Sequence, residues 1–176
     1  MLRKVVSGGQ SGVDRAALDA ARALGIPSGG WCPKGRRAED GRIPRRYRLA
    51  ETPSGNYVQR TEWNVRDSDG TLIVNRGRLD GGTLLTAELA LGRYGKPLLV
   101  VQLGRRIRAE RFRAWRAQNR VRVLNVAGPR ESKRPGIYRA AKALLVRLLG
   151  ELVILKSAVL RTKKAPRTPR AERRPG

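Results

Sequence analysis

The sequence predicts an α/β fold in which a mostly parallel sheet is covered by helices on both faces. Short apolar runs alternate along the chain with segments whose apolar residues recur at helical spacing. Glycine-rich turns join two of these runs to the helical segments that follow, as in the strand–turn–helix units of a parallel sheet. The chain of 176 residues suits one domain, which we expect to span residues 1–155.

The first strand–helix unit is predicted near the start of the chain. The apolar run "RKVVSG" is typical of a strand, and the helix after it closes at Gly25 and Pro27. A stretch dense in glycine, proline and charge follows over residues 28–55, and residues 56–69 are weakly periodic and are predicted as a helix. The apolar positions of the first helix share one face: Val13, Ala16, Ala17, Ala20, Ala21 and Leu24.

The remainder of the chain repeats the alternation. Strands are predicted for "GTLIVN", "PLLVVQL" and "VRVLNVAG". Helices are predicted for "TLLTAELALGRYG", "AERFRAWRAQ" and "PGIYRAAKALLVRLLGEL". In such sheets ligands bind at the carboxyl ends of the strands, so the segments directly after the strands are the candidate site.

The chain is strongly basic, with 39 Lys and Arg against 14 Asp and Glu and a net charge of +25. Residues 156–176 are rich in Lys and Arg and are interrupted by prolines, which predicts a disordered basic tail. That tail favours weak, nonspecific binding of nucleic acid. A genome rich in Arg codons would produce the same excess of charge without such a partner.

Several functional classes are excluded by composition. The chain has no His, so His-based triads and His metal sites are absent, and its one cysteine, Cys32, allows no internal disulfide and no thiolate zinc site. We expect a cytoplasmic protein, because the N-terminal apolar run is too short for a signal peptide and no run reaches the roughly 20 apolar residues of a membrane helix. We expect no metal ligands and no catalytic residues among the side chains.

Two glycine-rich turns precede predicted helices, "SGGQSGVDR" and "NRGRLDGGT", and "AGPRES" follows the last strand. Bare backbone N–H groups at a helix N-terminus form an anion site, which predicts phosphate binding. Ser11 and Asp14 also have capping-box spacing, and Thr83 can cap the second helix, so both turns have a purely structural interpretation as well. The spacing differs from the Gly-x-Gly-x-x-Gly dinucleotide fingerprint.

Several separated segments together resemble the molybdenum cofactor carrier proteins, a circularly permuted YpsA-like branch of the Rossmann-like superfamily that includes the LOG proteins and the DNA-processing protein DprA. These segments are "SGGQSGVDRAALDAA", "GGWCPKGRRAEDG", "TEWNVRDSDGTLIV", "GGT" and "NVAGPRES…PGIY". The resemblance implies a Rossmann-like three-layer fold and a homo-oligomer, expected as a homotetramer. It also implies a non-catalytic carrier that protects the cofactor.

The cofactor that the resemblance implies has a terminal phosphate and an oxo-metal head, and both are anionic acceptors. The candidate contacts are therefore amides of glycine turns, hydroxyls and cations: Gly8, Gly9, Gln10, Ser11, Gly12, Arg15, Lys34, Arg36, Gly81, Gly82, Thr83, Arg130 and Ser132. We expect a bulky residue at Gly9 to fill the anion nest while leaving the fold nearly intact. Cys32 is expected to be a packed small hydrophobe, and Trp31 and Trp63 either stack on a pterin or belong to the core.

Two alternatives follow from the same superfamily. The LOG relatives hydrolyse nucleoside monophosphates and carry the pattern Pro-Gly-Gly-x-Gly-Thr-x-x-Glu, which would make a nucleotide the ligand. Here "DGGTLLTAE" lacks the leading Pro and the third Gly, and Glu88 is displaced by two positions. The second alternative is a nucleic-acid-binding protein related to DprA, although only 5% of the residues are aromatic.

Overall fold

The core of the molecule is a five-stranded parallel sheet in the order β2-β1-β9-β7-β8. The structure is a computed structural model that describes residues 1–105 and 107–164. The predicted α/β fold of the Rossmann-like type is confirmed. The strands of this sheet are β1 (Lys4–Val6), β2 (Ser28–Gly29), β7 (Gly70–Asn75), β8 (Leu98–Gln102) and β9 (Val123–Ala127).

The strand order shows that the chain is circularly permuted. β9 is the last strand in sequence but lies at the centre of the sheet, between β1 and β7. When the count begins at β9 and continues through β1, β2, β7 and β8, the order becomes 3-2-1-4-5, as in the Rossmann fold. The direction of winding then reverses between β9 and β7, and in such sheets the ligand crevice opens at that point, outside the carboxyl ends of the strands.

The helices cover both faces of the sheet. Inward-facing residues of four strands, such as Val5, Leu72, Leu99 and Leu124, share one apolar cluster with α1, α4 and α5, while α3 contacts β7 on the other face beside α2. The helices are α1 (Val13–Ala23), α2 (Tyr57–Arg66), α3 (Gly81–Glu88), α4 (Ala109–Gln118) and α5 (Ile137–Lys164), and α3 continues into a π-helical turn (Leu89–Arg93).

Small residues let α1 and α5 pack closely. Ala16, Ala17, Ala20 and Ala21 are fully buried in the core cluster that also contains Leu145 of α5. Alanine at these positions brings the two backbones near each other while keeping helix propensity high. The predicted apolar face of α1 is therefore its contact with α5.

One buried arginine, Arg36, holds together the long segment between β2 and α2. The segment forms two short strand pairs, β3 (Trp31–Cys32) with β6 (Ala50–Glu51) and β4 (Arg37–Ala38) with β5 (Gly41–Arg42). The guanidinium of Arg36 donates to the backbone carbonyls of residues 43, 44, 47 and 49, at 2.9 to 3.2 Å. Arg36 was expected to close over a ligand, but its donors are used to hold this segment together.

Two helix boundaries differ from the sequence prediction. α3 begins at Gly81, with Asp80 as its N-cap residue, so Thr83 lies inside the helix and does not cap it. α5 runs through Lys164, so residues 156–164, expected to be part of the disordered tail, are helical. Residues 165–176 of that tail lie outside the described residues. No helix in the described part of the chain is long and apolar enough to cross a membrane.

Candidate functional site

A cavity of about 400 Å³ opens where the sheet changes winding direction. We call it the switch-point cavity. Its walls come from the loop after β9, the first turn of α3, the first turns of α2, and Gln10 and Asp14 at the start of α1. The permuted topology thus brings together three of the segments that directly follow or precede the central strands, as Rossmann geometry requires.

Three cations face two carboxylates around this cavity. The guanidinium of Arg130 lies over the ring of Tyr57, 5.3 Å from its centroid, and Lys133 Nζ lies 3.2 Å from Asp80 Oδ1. The hydrogen bond from Lys133 is the main reason that the pKa of Asp80 lies below its usual value. The third cation is Arg60 and the second carboxylate is Asp14. Three positive charges against two negative charges leave the cavity with a surplus of positive charge, which suits an anionic ligand.

The carboxylate of Asp14 is buried against Arg60. Arg60 Nη1 donates to Asp14 Oδ2 at 3.2 Å, and the backbone N–H of Gln10 donates to the same oxygen at 3.3 Å. Burial raises the pKa of Asp14 even though the positive charge of Arg60 opposes the shift. The pair fixes the position of the Arg60 guanidinium at the cavity wall.

Two buried nitrogens beside the cavity have no hydrogen-bond partner among the described residues, Gln10 Nε2 and Arg60 Nε. Gln10 Oε1 accepts from the backbone N–H groups of Ser11 and Glu39 at 3.1 and 2.8 Å. These two donors determine which end of the amide is oxygen, so Nε2 is the unpaired donor. A buried donor without an acceptor costs about 1–3 kcal/mol, and both side chains that carry these donors line the cavity.

The glycine turn before α1 is packed against the protein itself. An added Cβ on Gly9, whose φ is +73°, would lie 2.4 Å from Leu49 Cδ1. A Cβ on Gly12, also at φ +73°, would lie 2.4 Å from the carbonyl oxygen of Pro129, which accepts from Val13 N at 3.2 Å. The expectation that a bulky residue at Gly9 leaves the fold nearly intact is therefore wrong, because the space beside Gly9 is filled by core side chains.

The turn that opens α3 is the more accessible of the two glycine turns. Gly81 and Gly82 are exposed, and a Cβ added to Gly82 would meet no atom within 4 Å. Thr83 is buried at the cavity wall, and Thr86, three residues later, donates from Oγ1 to the carbonyl of Gly82 at 2.7 Å. Thr86 occupies the place where the LOG pattern has Glu. Glu88 is exposed and is not among the residues that line the cavity.

Comparison with known proteins shows the family of this chain. A model of the circularly permutated YpsA SLOG family matches residues 5–149. The chain belongs to this family. A crystal structure of a "Putative molybdenum carrier protein" from Syntrophus aciditrophicus SB is 48% identical, covers 84% of this chain and 94% of that chain, and superposes with a TM-score of 0.77. The curated proteins contained no match. The family resemblance noted from the sequence is thus confirmed.

The switch-point cavity contains only some of the residues that the sequence predicted as ligand contacts. Gln10, Gly81, Gly82, Thr83 and Arg130 line it. Ser11, Gly12, Arg15 and Ser132 line a neighbouring cavity of about 690 Å³, which we call the hairpin cavity because the turn of the β4–β5 hairpin forms one wall. Lys34, which is exposed, and Gly8, Gly9 and Arg36, which are buried, line neither cavity.

The hairpin cavity contains a second set of polar contacts. The hydroxyls of Tyr47 and Tyr138 both donate to the carboxylate of Asp19, Tyr138 at 2.8 Å. Burial together with Asp19 raises the pKa of Tyr138 to about 12. The carboxylate of Glu131 accepts from the backbone N–H groups of Gly136 and Tyr138 at 2.6 and 2.9 Å, so it satisfies donors at the start of α5.

The remaining aromatic and sulfur candidates lie outside both cavities. Trp31 and Trp63 form an edge-to-face pair with ring centroids 4.7 Å apart, and Trp31 Nε1 donates to Asp67 at 2.7 Å. Cys32 is fully buried, and burial raises the pKa of its thiol. Cys32 is the small packed hydrophobe that the sequence predicted.

Sequence reasoning did not identify Tyr57, Arg60 or Lys133 as site residues. Tyr57 and Arg60 belong to α2, whose weak periodicity gave no indication of what it faces, and they reach the cavity only because α2 lies beside α3. Lys133 was one residue beyond the "AGPRES" segment. The position of Lys133 in the sequence could have identified it, because a cation that follows the central strand of a permuted sheet lies at the switch point.

Proposed function

We propose that this chain binds and carries molybdenum cofactor in the switch-point cavity, without converting it. Membership of the circularly permutated YpsA SLOG family and the name of the 48% identical relative support this proposal. The observation that carries it is the pair of buried unpaired donors, Gln10 Nε2 and Arg60 Nε, in a cavity with excess positive charge. Such donors suit a ligand that brings its own anionic acceptors.

The residues fit the anionic groups of the cofactor. Arg60, Arg130 and Lys133 would neutralise a terminal phosphate or an oxo-metal head, and the open turn at Gly81 and Gly82 lets an oxygen atom approach the first turn of α3, where the helix dipole favours negative charge. When bound, the cofactor supplies the oxygen-sensitive pterin–molybdenum centre. The chain contributes position, charge balance and exclusion of water.

We extend the proposal to a homo-oligomer, with a tetramer as the expected assembly. Leu84 and Leu91 are 40% and 60% exposed and lie seven residues apart on α3 and its π-helical turn. Two large apolar side chains at this spacing share one side of a helix, which supports burial against another copy. Light scattering coupled to size exclusion should give four chains per particle, and Leu91→Glu should lower that number if this surface is an interface.

Anaerobic calorimetry with molybdenum cofactor tests the binding proposal. Arg60→Met and Arg130→Met should each weaken binding by about tenfold or more, because a charge-assisted hydrogen bond is worth about 1.5–3 kcal/mol. Arg111→Met is the matched control, since Arg111 is exposed on α4 and lines neither cavity. Equal affinity in the wild-type protein and in both cavity variants would refute the proposal.

One observation supports a second candidate, a nucleotide-binding hydrolase of the LOG type. Asp14 lines the cavity and is buried, and burial raises its pKa, as is common for carboxyl groups that act as general acids or bases in active sites. Incubation with nucleoside monophosphates, followed by measurement of free base, separates the two functions. Multiple turnovers that are lost in Asp14→Asn would replace the carrier proposal by the hydrolase.

A further inference from the structure

Two neighbouring acids at the turn of the β4–β5 hairpin, Glu39 and Asp40, are bound by residues of the loops that follow the central strands. We call this pair the acidic turn. The carboxylate of Glu39 accepts from the hydroxyls of Ser11 and Ser132, and also from the backbone N–H of Ser132 at 3.1 Å. The donors come from the loop after β1 and the loop after β9. Glu39 therefore occupies a position in which these hydrogen-bond donors could instead bind an oxyanion of a ligand.

Asp40 makes the matching contact on the other side of the turn. Arg15 Nη1 and Nη2 donate to its two carboxylate oxygens, the second at 2.8 Å. This fork geometry is the one that guanidinium groups also offer to phosphate. Three residues that the sequence assigned to ligand binding, Ser11, Arg15 and Ser132, thus have carboxylates of the protein itself as their partners.

The carboxylate of Glu39 is bound as an anion by its hydrogen-bond donors. Partial burial opposes its ionisation, but the hydrogen bonds from Ser11 and Ser132, together with the positive charge of Arg130, hold the pKa of Glu39 below its usual value. Glu39 remains exposed overall. Its carboxylate would be hydrated at once if it left these donors, so the cost of release is limited to the hydrogen bonds themselves.

The backbone around the acidic turn permits movement while its base stays fixed. Each strand of the hairpin is two residues long, and an added Cβ on Gly41, at φ +102°, would meet no atom within 4 Å. The buried guanidinium of Arg36 holds the residues beyond the hairpin through their carbonyl groups. The turn therefore has open space beside Gly41 and a base that Arg36 holds in place.

Gln10 links this turn to the switch-point cavity. Its Oε1 accepts from Glu39 N, and its unpaired Nε2 belongs to the side chain that lines the cavity. We propose that the acidic turn is an internal anion that fills a second oxyanion subsite, formed by Ser11, Ser132 and Arg15, and that an oxyanion of the bound ligand displaces it. The identity of that ligand as a two-ended cofactor rests on the proposed function, whereas the subsite itself does not.

Titration calorimetry with inorganic phosphate at low ionic strength tests the subsite. The wild-type protein should bind one phosphate per chain, in the switch-point cavity, and Glu39→Ala should bind two. In the Glu39→Ala background, Ser132→Ala should abolish the second phosphate alone, and Arg60→Met the first alone. The amide resonance of Ser132 should shift with phosphate in Glu39→Ala, a change that a merely structural role of Glu39 would not produce.

Two further variants serve as controls for the phosphate titration. Glu110→Ala removes an equally negative and well-exposed side chain of α4 and should leave the wild-type stoichiometry unchanged. If Glu39→Ala does not fold, Glu39→Gln keeps the shape, removes the charge and should still admit a second phosphate. Unchanged stoichiometry in the folded Glu39 variants would overturn the inference. No phosphate in the wild-type protein, with one in Glu39→Ala, would instead remove support for the proposed function while leaving this inference standing.

Discussion

The guanidinium of Arg60 occupies the space that a side chain at residue 8 would need. An added Cβ on Gly8 would lie 1.9 Å from Arg60 Nη1 and 2.8 Å from Asp14 Oδ2. A side chain at residue 8 would therefore displace the guanidinium of Arg60 from its ion pair with Asp14. Because residue 8 is glycine, Arg60 fits in this space, and its unpaired Nε lies beside the switch-point cavity.

Gly8→Ala should break this arrangement. The new methyl group would push the Arg60 guanidinium away from Asp14 and leave the buried carboxylate with the backbone N–H of Gln10 as its donor, a loss of about 1–3 kcal/mol. Urea denaturation should show this loss. Gly92→Ala is the control, because a Cβ there would meet no atom within 4 Å. A Gly8→Ala protein as stable as the control would contradict the account of Gly8.

Gly82→Ala should separate stability from binding. Its Cβ would enter open space in the first turn of α3, and alanine is favoured over glycine in a helix by about 0.5–1 kcal/mol. We expect equal or higher thermal stability together with weaker binding of phosphate, because the methyl group narrows the approach to the turn. The same change at Gly9 should destabilise the fold through its clash with Leu49. Identical phosphate affinity in Gly82→Ala would argue against this turn as a contact.

Arg36→Met should destabilise the protein by about 2–4 kcal/mol, because it leaves buried carbonyl groups without their donor. Arg36→Lys should recover only part of the loss, since an ammonium group cannot span the same set of acceptors. Lys34→Met, at an exposed position two residues away, should change the free energy of unfolding by no more than about 0.5 kcal/mol. Chemical denaturation of the three variants measures these differences, and equal stability of Arg36→Met and the wild-type protein would be the contrary result.

The contacts of Glu39 predict a pH dependence. Its pKa in the folded protein lies below the usual 4.5, so its ionised form stabilises the fold at neutral pH. That contribution is lost as the pH falls through the folded pKa. The difference in unfolding free energy between wild type and Glu39→Gln should therefore be present at pH 6 and should shrink below about pH 4.5. A difference that grows on acidification would contradict the assigned hydrogen bonds.

The basic C-terminal segment should account for most binding of nucleic acid. A chain shortened to end at Leu155 lacks the Lys- and Arg-rich residues 156–176 and should lose most of its affinity for DNA. In the full chain that affinity should fall steeply with salt, because phosphate neutralisation releases counterions. Fluorescence anisotropy with two unrelated duplexes provides the measurement. Full retention by the shortened chain, with preference for one duplex, would favour a DprA-like role of the body.

The sequence determined by itself the kind and order of β1, β7, β8, β9 and the helices α1 to α5, but it did not predict the two-residue strands β2 to β6 within residues 28–55. Local periodicity is a property of neighbouring residues, and the predicted strand "GTLIVN" and helix "AERFRAWRAQ" match β7 and α4 residue for residue. Family membership was equally accessible, because its motifs are contiguous segments. Cys32 was correctly expected to be packed, as an isolated small residue between Trp31 and Pro33.

Only the tertiary structure decided which candidate residues meet. The position of β9 in the centre of the sheet places Arg130 and Lys133 opposite α3, and nothing local specifies that order. The glycines before α1 accommodate Arg60 and Leu49, which are dozens of residues away in sequence. Arg36 holds carbonyl groups, and Arg15 and Ser11 hold the acidic turn. These outcomes depend on long-range packing, because each donor binds an acceptor that becomes its neighbour only in the folded chain. A sequence motif shows the donor but not that acceptor.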